Sequence, residues 1–460
     1  MRIEDEYKKT GYFWLPEEEE NKIPGMLSID NGGKIELEVV GHFHDDILNN
    51  DDNLSRIVGH IEKDGLVTLD DCFYIKKNIS FGGISKSKIR ANRVLSGAAW
   101  DKHEKVTFNT FSFAVDCLDE WVGISGINVD SDWLSRTATI NYNPPNNLTF
   151  LLDNGMNLEI HFACTLPGFP TITEAKITQR AYFKLNSEKL RTLSDFTTTA
   201  FKITNLMCFA IDEIVSLNNV SATSSEIQHC ANDTQHPVEI SIYYQSIPFS
   251  EKKPSKNRHD MLFGFGIIKD NAQQVLNNWL NAYEYLYPAL NLYFSTKYGA
   301  QKYLEGKFLA LAQGLETYHR RTSNETLMDP ESFMPLIQTI LNGCPEVHVE
   351  WLKGRLLHGN EINLGKRLKR IIEPFKKHLG TSSERSKMLR KIVDTRNYLT
   401  HYSDNLKENS ATGRDLFILC QKMEVIFNLH FLKVIGFTDE EINGVVENCY
   451  PIKRKLQDFK

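Results

Sequence analysis

The feature that most constrains this chain is a change of hydrophobic period part-way along it. In the first 165 residues apolar and polar side chains alternate. Lys34-Ile-Glu-Leu-Glu-Val-Val40 has the period of two that marks a strand with one buried face. Val106–Asn109 and Phe111–Val115 do the same, with a slip of phase at Thr110 of the kind a bulge produces. Leu148–Leu152 and Leu158–Phe162 flank Asp153-Asn154-Gly155, a turn sequence that predicts a hairpin. Asn31-Gly32-Gly33 and Gly82-Gly83 mark further turns. From Ser194 the period lengthens. Ser194-Asp195 is expected to cap a helix carrying Phe196, Phe201, Leu206 and Phe209, after which Val238–Tyr244 reads as one more strand. Beyond Ile267 the repeat is helical throughout. Val275, Trp279, Tyr283, Leu286, Leu290 and Tyr293 recur at threes and fours, and Phe308, Leu311, Leu315 and Tyr318 follow beyond Gly299.

These patterns predict an α+β chain of several domains. A β-rich, antiparallel, sandwich-like N-terminal domain occupies 1–165, and a mixed α/β extension and linker occupies 166–260. An all-helical bundle takes 267–460, with shorter helices at Glu331–Leu341, His348–His358, Leu364–His378, Ser382–His401, Asp415–Ile435 and Asp439–Asn448. Ile247–Asp260, with Pro248, Pro254 and a cluster of Lys and Arg, is the linker. A chain of 460 residues exceeds one ordinary core, which also requires more than one domain. The aromatic stripe Trp279, Tyr283 and Tyr293 is read as core.

No apolar run reaches the roughly 20 residues that span a bilayer, so no membrane is expected. Met1–Lys22 is acidic and has no signal-peptide core. The eight cysteines are scattered without a C-x-x-C pair, which argues against a zinc ribbon or a disulfide framework and for reduced thiols in the cytoplasm. His42-Phe43-His44-Asp45-Asp46 holds metal-ligating residue types but no companion cluster, so no metal and no cofactor are expected.

The net charge of −6 conceals a division. From Trp351 to Arg396 there are 13 Lys or Arg and four acidic residues, a balance of +9 that leaves −15 on the rest of the chain. This basic segment leads into Arg396-Asn397-Tyr398-Leu399-Thr400-His401, an R-N-x-x-x-H motif. Such a motif arises by accident in roughly one chain of this composition in thirty. The residue types match metal-independent RNA cleavage, in which an imidazole carries the proton of a ribose 2′-hydroxyl and a guanidinium holds the phosphate. A helix from Ser382 puts the motif in its last turns, with Asn397 and His401 on one face and Arg396 about 100° away. One helix supplies one imidazole, whereas in-line cleavage uses an acid and a base. The simplest source of the second is a second copy of the chain.

The motif resembles that of the HEPN (higher eukaryotes and prokaryotes nucleotide-binding) ribonucleases, and three further stretches look like the ApeA-type branch of anti-phage defence proteins. These are Gly11-Tyr-Phe-Trp-Leu-Pro16, the run from Phe308 to Arg321, and Leu364-Gly-Lys-Arg-Leu368. The resemblance implies a helical nuclease domain that dimerises, an RNA substrate, and a β-rich N-terminal domain that senses or restrains it. A tRNA anticodon loop fits as target, since structured RNA is cut where bases are unstacked. A phage-derived activator is a further expected partner. The resemblance makes His401 the proton carrier, Arg396 the phosphate clamp and Asn397 the orienting amide. It makes Glu316 a residue facing the motif, which fixes Arg396 or raises the histidine pKa into the working range. Lys366, Arg367, Lys369, Arg370, Lys376 and Lys377 are candidate RNA-backbone contacts. His319, Arg320 and Arg321 are read as structural or RNA-positioning. Two other classes remain open at this stage: a non-catalytic nucleotide- or RNA-binding module, and a carbohydrate-directed role for the β domain.

Overall fold

The computed structural model describes residues 1–43, 52–80, 82–169, 172–231, 234–299 and 301–457. His44, Asp45 and Asp46 of the candidate metal stretch lie outside the described residues. Two compact units emerge, Met1–Leu280 and Asn281–Lys460.

The first unit begins with six strands: β1 (Tyr7–Trp14), β2 (Ile23–Ile29), β3 (Ile35–Val40), β4 (Asn53–Ile61), β5 (Gly65–Asn78) and β6 (Lys86–Ala91). They pair antiparallel in a ring, β1–β2–β3–β6–β5–β4 and back to β1, which closes a barrel. Alternation fills its interior: Ile35, Leu37 and Val39 point inward from β3, with Phe13, Leu27, Ile57, Leu69 and Ile89 beside them. Closure requires glycine at one crossing, because a Cβ on Gly59 would lie 2.5 Å from the Phe13 ring. The antiparallel β-rich expectation therefore holds, with a closed barrel in place of a sandwich.

The long strand β5 also pairs with β7 (Arg93–Ser96), which extends the sheet out of the barrel. The chain continues through β8 (Thr107–Val115), the short helix α1 (Leu118–Val122), a separate hairpin of β9 (Ile127–Asp132) and β10 (Thr137–Tyr142), then β11 (Leu148–Leu151) and β12 (Asn157–Thr165). Next come β13 (Thr178–Thr192), helix α2 (Leu193–Ile211), β14 (Leu217–Thr223), a second separate hairpin of β15 (Gln228–Ala231) and β16 (Thr234–Pro237), and β17 (Ile240–Tyr244). The sheet runs on from β7 in the order β17, β14, β8, β13, β12, β11. The phase slip at Thr110 is real and has its counterpart across the ladder. Thr110 faces Asn186 and Phe108 faces Arg191, so β13 carries the extra residues. The turn at 153–155 joins β11 to β12, with Gly155 at φ +79°.

Helix α2 starts two residues earlier than Ser194-Asp195 implied. Thr192 is the cap, its hydroxyl accepting from the Asp195 amide while the Asp195 carboxylate accepts from the Thr192 amide. Thr192→Ala is expected to lower the unfolding free energy of this unit by about 1 kcal/mol. Urea denaturation reads this as a shifted midpoint, and an unshifted midpoint contradicts it.

The boundaries drawn at 165 and 260 differ from the structural division. β12 and β13 lie either side of 165 yet pair over nine positions. After the linker, α3 (Phe265–Ile268) and the start of α4 (Ala272–Lys297) still belong to the first unit. Phe263 and Trp279 pack on Phe209 of α2, at 6.1 and 5.8 Å between rings, and the Trp279 indole donates to the Lys202 carbonyl at 2.7 Å. Aromatic burial carries this unit to Leu280.

The second unit is helical: the end of α4, α5 (Leu304–Thr322), α6 (Pro330–Asn342), α7 (Glu346–Leu356), α8 (Leu364–Ile372), α9 (Ser382–His401), α10 (Asp404–Lys407), α11 (Gly413–Val434), α12 (Asp439–Asn448) and α13 (Tyr450–Gln457). Its centre is α11, buried continuously from Met423 to Leu432. Tyr293 packs on Phe427 and Phe431 and donates to the Asn428 side chain at 2.7 Å. α5 approaches α11 closely at Gly314, where a Cβ would lie 2.9 Å from the Phe427 ring. The helix expected over 364–378 becomes α8 plus a 3-10 turn from Glu373 to His378, since Pro374 has no N–H to continue the ladder. The stripe Trp279, Tyr283 and Tyr293 is buried, as expected of core. No helix among the described residues is long and apolar enough to cross a membrane.

Candidate active site

Helix α9 forms for reasons visible in its own residues. The Thr381 hydroxyl accepts from the Glu384 amide and the Glu384 carboxylate accepts from the Thr381 amide, a reciprocal cap that fixes the first turn. Met388, Ile392, Thr395 and Leu399 then form one buried face. The Thr395 hydroxyl accepts from the Ala411 amide at 2.8 Å, tying the chain beyond the helix back onto it. The helix stops at Tyr402, which turns left-handed at φ +50°.

With that face buried, Arg396, Asn397 and His401 fall on the outward side. The Arg396 guanidinium donates to the Asn397 side-chain oxygen at 3.2 Å, so cation and amide form one group and the amide nitrogen remains a donor. His401 is the last helical residue, exposed, and makes no hydrogen bond among the described residues. Thr400 bonds the Arg396 carbonyl at 2.7 Å and secures the final turn.

The helices around α9 fix where its C-terminal end lies. A Cβ on Gly365, at the start of α8, would sit 3.7 Å from the Val393 side chain, so α8 runs back along α9 with its first turn beside the last turns of α9. The C-terminal end of α5 is at the same place. His319 is hydrogen-bonded to Arg367 at 3.3 Å and Arg320 is paired with Glu361, just ahead of α8. The end of α5, the start of α8 and the Arg396–His401 end of α9 therefore share one end of the unit.

Glu316 is near that end, but its carboxylate accepts from Arg320 at 3.1 Å. Arg320, one helical turn on, reaches it first, and the guanidinium of Arg396 is held by Asn397 instead. The expectation that Glu316 fixes Arg396 is not met by these contacts. Arg320 also binds Glu361, and Glu361 in turn accepts from His358 at 2.8 Å, so the Glu361 carboxyl is held below the usual carboxylate range. Sequence reasoning missed Glu361, which no local pattern links to a helix forty residues earlier.

Arg367 corrects a second expectation. It is buried, not a surface contact for RNA, because the apolar stripe of α8 runs through Leu368, Ile371 and Ile372 and carries position 367 inward with it. Burial lowers the pKa of its guanidinium, with Arg320 adding to the effect. Burial likewise lowers the pKa of His319, with Arg367 as the second cause. Arg370 is exposed and forked onto Glu325 at 2.7 and 3.0 Å, and Lys376 is paired with Glu373 at 2.7 Å. Lys366, Lys369 and Lys377 are exposed and form no ion pair among the described residues. No cluster of three metal-ligating side chains occurs among the described residues.

Residues 8–279 match the family described as ApeA N-terminal domain 1, and residues 309–441 match Apea-like HEPN. The chain belongs to the ApeA family. The HEPN match runs from α5 into α12 and includes the whole of α9, which supports a HEPN-type nuclease role in defence. No curated protein and no solved structure matches the chain.

Proposed function

We propose that the chain is a metal-independent endoribonuclease of anti-phage defence, working as a dimer. The observation that carries this reading is the end of α9, where Arg396 and Asn397 form one group and His401 stands exposed beside it. Two copies supply two imidazoles. One takes the proton of a ribose 2′-hydroxyl, whose oxygen attacks the adjacent phosphorus. The other protonates the departing 5′-oxygen, leaving a 2′,3′-cyclic phosphate. Arg396 stabilises the charge that builds on the phosphate, and Asn397 keeps its fork in place. Lys366, Lys369 and Lys377 guide the RNA backbone, and an unstacked loop such as a tRNA anticodon is the favoured target. The N-terminal unit restrains the nuclease until a phage-derived activator binds.

The test is cleavage of cellular RNA by the full chain in EDTA, with activator supplied from infected cells. Product ends with cyclic phosphate support the reading. RNA bound but uncut, with His401→Ala unchanged, assigns the chain to a non-catalytic binding role. Arg396→Lys is expected to slow single-turnover cleavage about 100-fold, because an ammonium cannot supply the two parallel bonds of the guanidinium.

A further inference from the structure

The helical pair α6–α7 carries no buried residue at all, yet it is rich in large apolar side chains. Met334, Leu336, Ile340, Val347, Trp351 and Leu357 are all exposed, with Trp351 at 64% and Val347 at 83%. A helix pair with apolar groups on this scale and nothing of its own to bury normally has a partner. Its position in the fold indicates which one. The pair connects the end of α5 to the start of α8, the same end of the unit at which Arg396–His401 emerges. Its root is closed there by the bridge between Thr326 and Glu361, and Glu361 is the residue that Arg320 clamps.

We propose that the α6–α7 pair is the surface on which a second copy of this chain docks, bringing a second His401 to the site. The proposal rests on the composite-site reading above and names the element that assembles it. The size of the pair agrees. Two helices about 20 Å long and about 10 Å across present roughly 400 Å². A stable dimer buries roughly 800 Å² on each subunit. The pair therefore accounts for about half, and the remainder has to come from other surface at the same end of the unit. A two-fold axis close to that end puts the same pair to use twice, once on each subunit.

The experiment is sedimentation velocity on the full chain, wild type, Met334→Glu and Trp351→Glu, over a range of protein concentrations, with RNA cleavage measured on the same samples. The wild type is expected to dimerise, and each substitution to raise the dimer dissociation constant at least about tenfold. Both positions are exposed, so the helical content of the variants should stay unchanged, and cleavage lost at low concentration should return at high concentration. A monomeric wild type overturns the proposal. So does a variant that dimerises as the wild type does, including one that has lost only RNA binding. Dimers that depend on the pair but cut no RNA support the proposal while refuting the nuclease reading.

Discussion

His401→Ala is expected to lower the rate of RNA cleavage by about 1,000-fold, the scale on which a positioned acid or base contributes. In a symmetric dimer the substitution removes acid and base together, so the loss is that of the pair and not twice that of one. RNA affinity should change by less than about twofold, because in the proposed site the phosphate contacts come from Arg396 and the exposed lysines. Stability should stay within about 0.5 kcal/mol of the wild type, since His401 is exposed and makes no hydrogen bond among the described residues. A mixing experiment separates the composite site from two independent ones. If both imidazoles of a dimer are needed, an equal mixture of wild type and His401→Ala retains about a quarter of the wild-type activity once subunits exchange. If each acts alone, it retains about half. A loss below tenfold in the pure variant rules out His401 as the proton carrier.

The parts of this site that depend on neighbours in the chain were legible in the sequence. Helix α9 spans the residues expected of it, and its cap is local, Thr381 with Glu384. The strand β3 reads directly from alternation, as do the hairpin at 153–155 and the phase slip at Thr110. What stayed hidden is set by residues distant in sequence. Barrel closure depends on β1 meeting β4 and β3 meeting β6, pairings that alternation does not encode. The burial of Arg367 comes from the rotational phase of α8. Counting charges from Trp351 to Arg396 treats position 367 as surface, whereas the stripe Leu368, Ile371 and Ile372 draws it in. The pairing of Glu316 lay within reach, because Arg320 is its i+4 neighbour on the same helix. The second clamp on Arg320, Glu361, required the fold.

Glu424→Gln is expected to destabilise the helical unit by about 3 kcal/mol at neutral pH, the largest effect on stability among these substitutions. The Glu424 carboxylate is 3% exposed and is met by Lys307 at 2.6 Å, Lys455 at 3.2 Å and Lys297 at 3.4 Å. One buried anion thus draws together α4, α5, α11 and α13. Burial works against its ionisation, and the three ammonium groups more than overcome this, holding its pKa at about 2. Glutamine keeps the shape and removes the charge, leaving three cations facing one another with no anion. The sign of the pH dependence follows. A folded pKa below the unfolded one means that the contribution is complete above about pH 4.5 and disappears as pH falls towards 2. His430 adds a separate stage at higher pH. It is buried, donates from Nε2 to the Ile371 carbonyl at 2.9 Å, and burial lowers its pKa to about 4. The neutral ring is therefore favoured by the fold, and its contribution is lost between about pH 6.5 and 4. Urea midpoints of the wild type should fall in both windows. Those of Glu424→Gln should begin lower and fall less below pH 4.5 than the wild type's, where carboxylates such as Glu361 still contribute, and a decline there as large as the wild type's would show that Glu424 is not the group responsible.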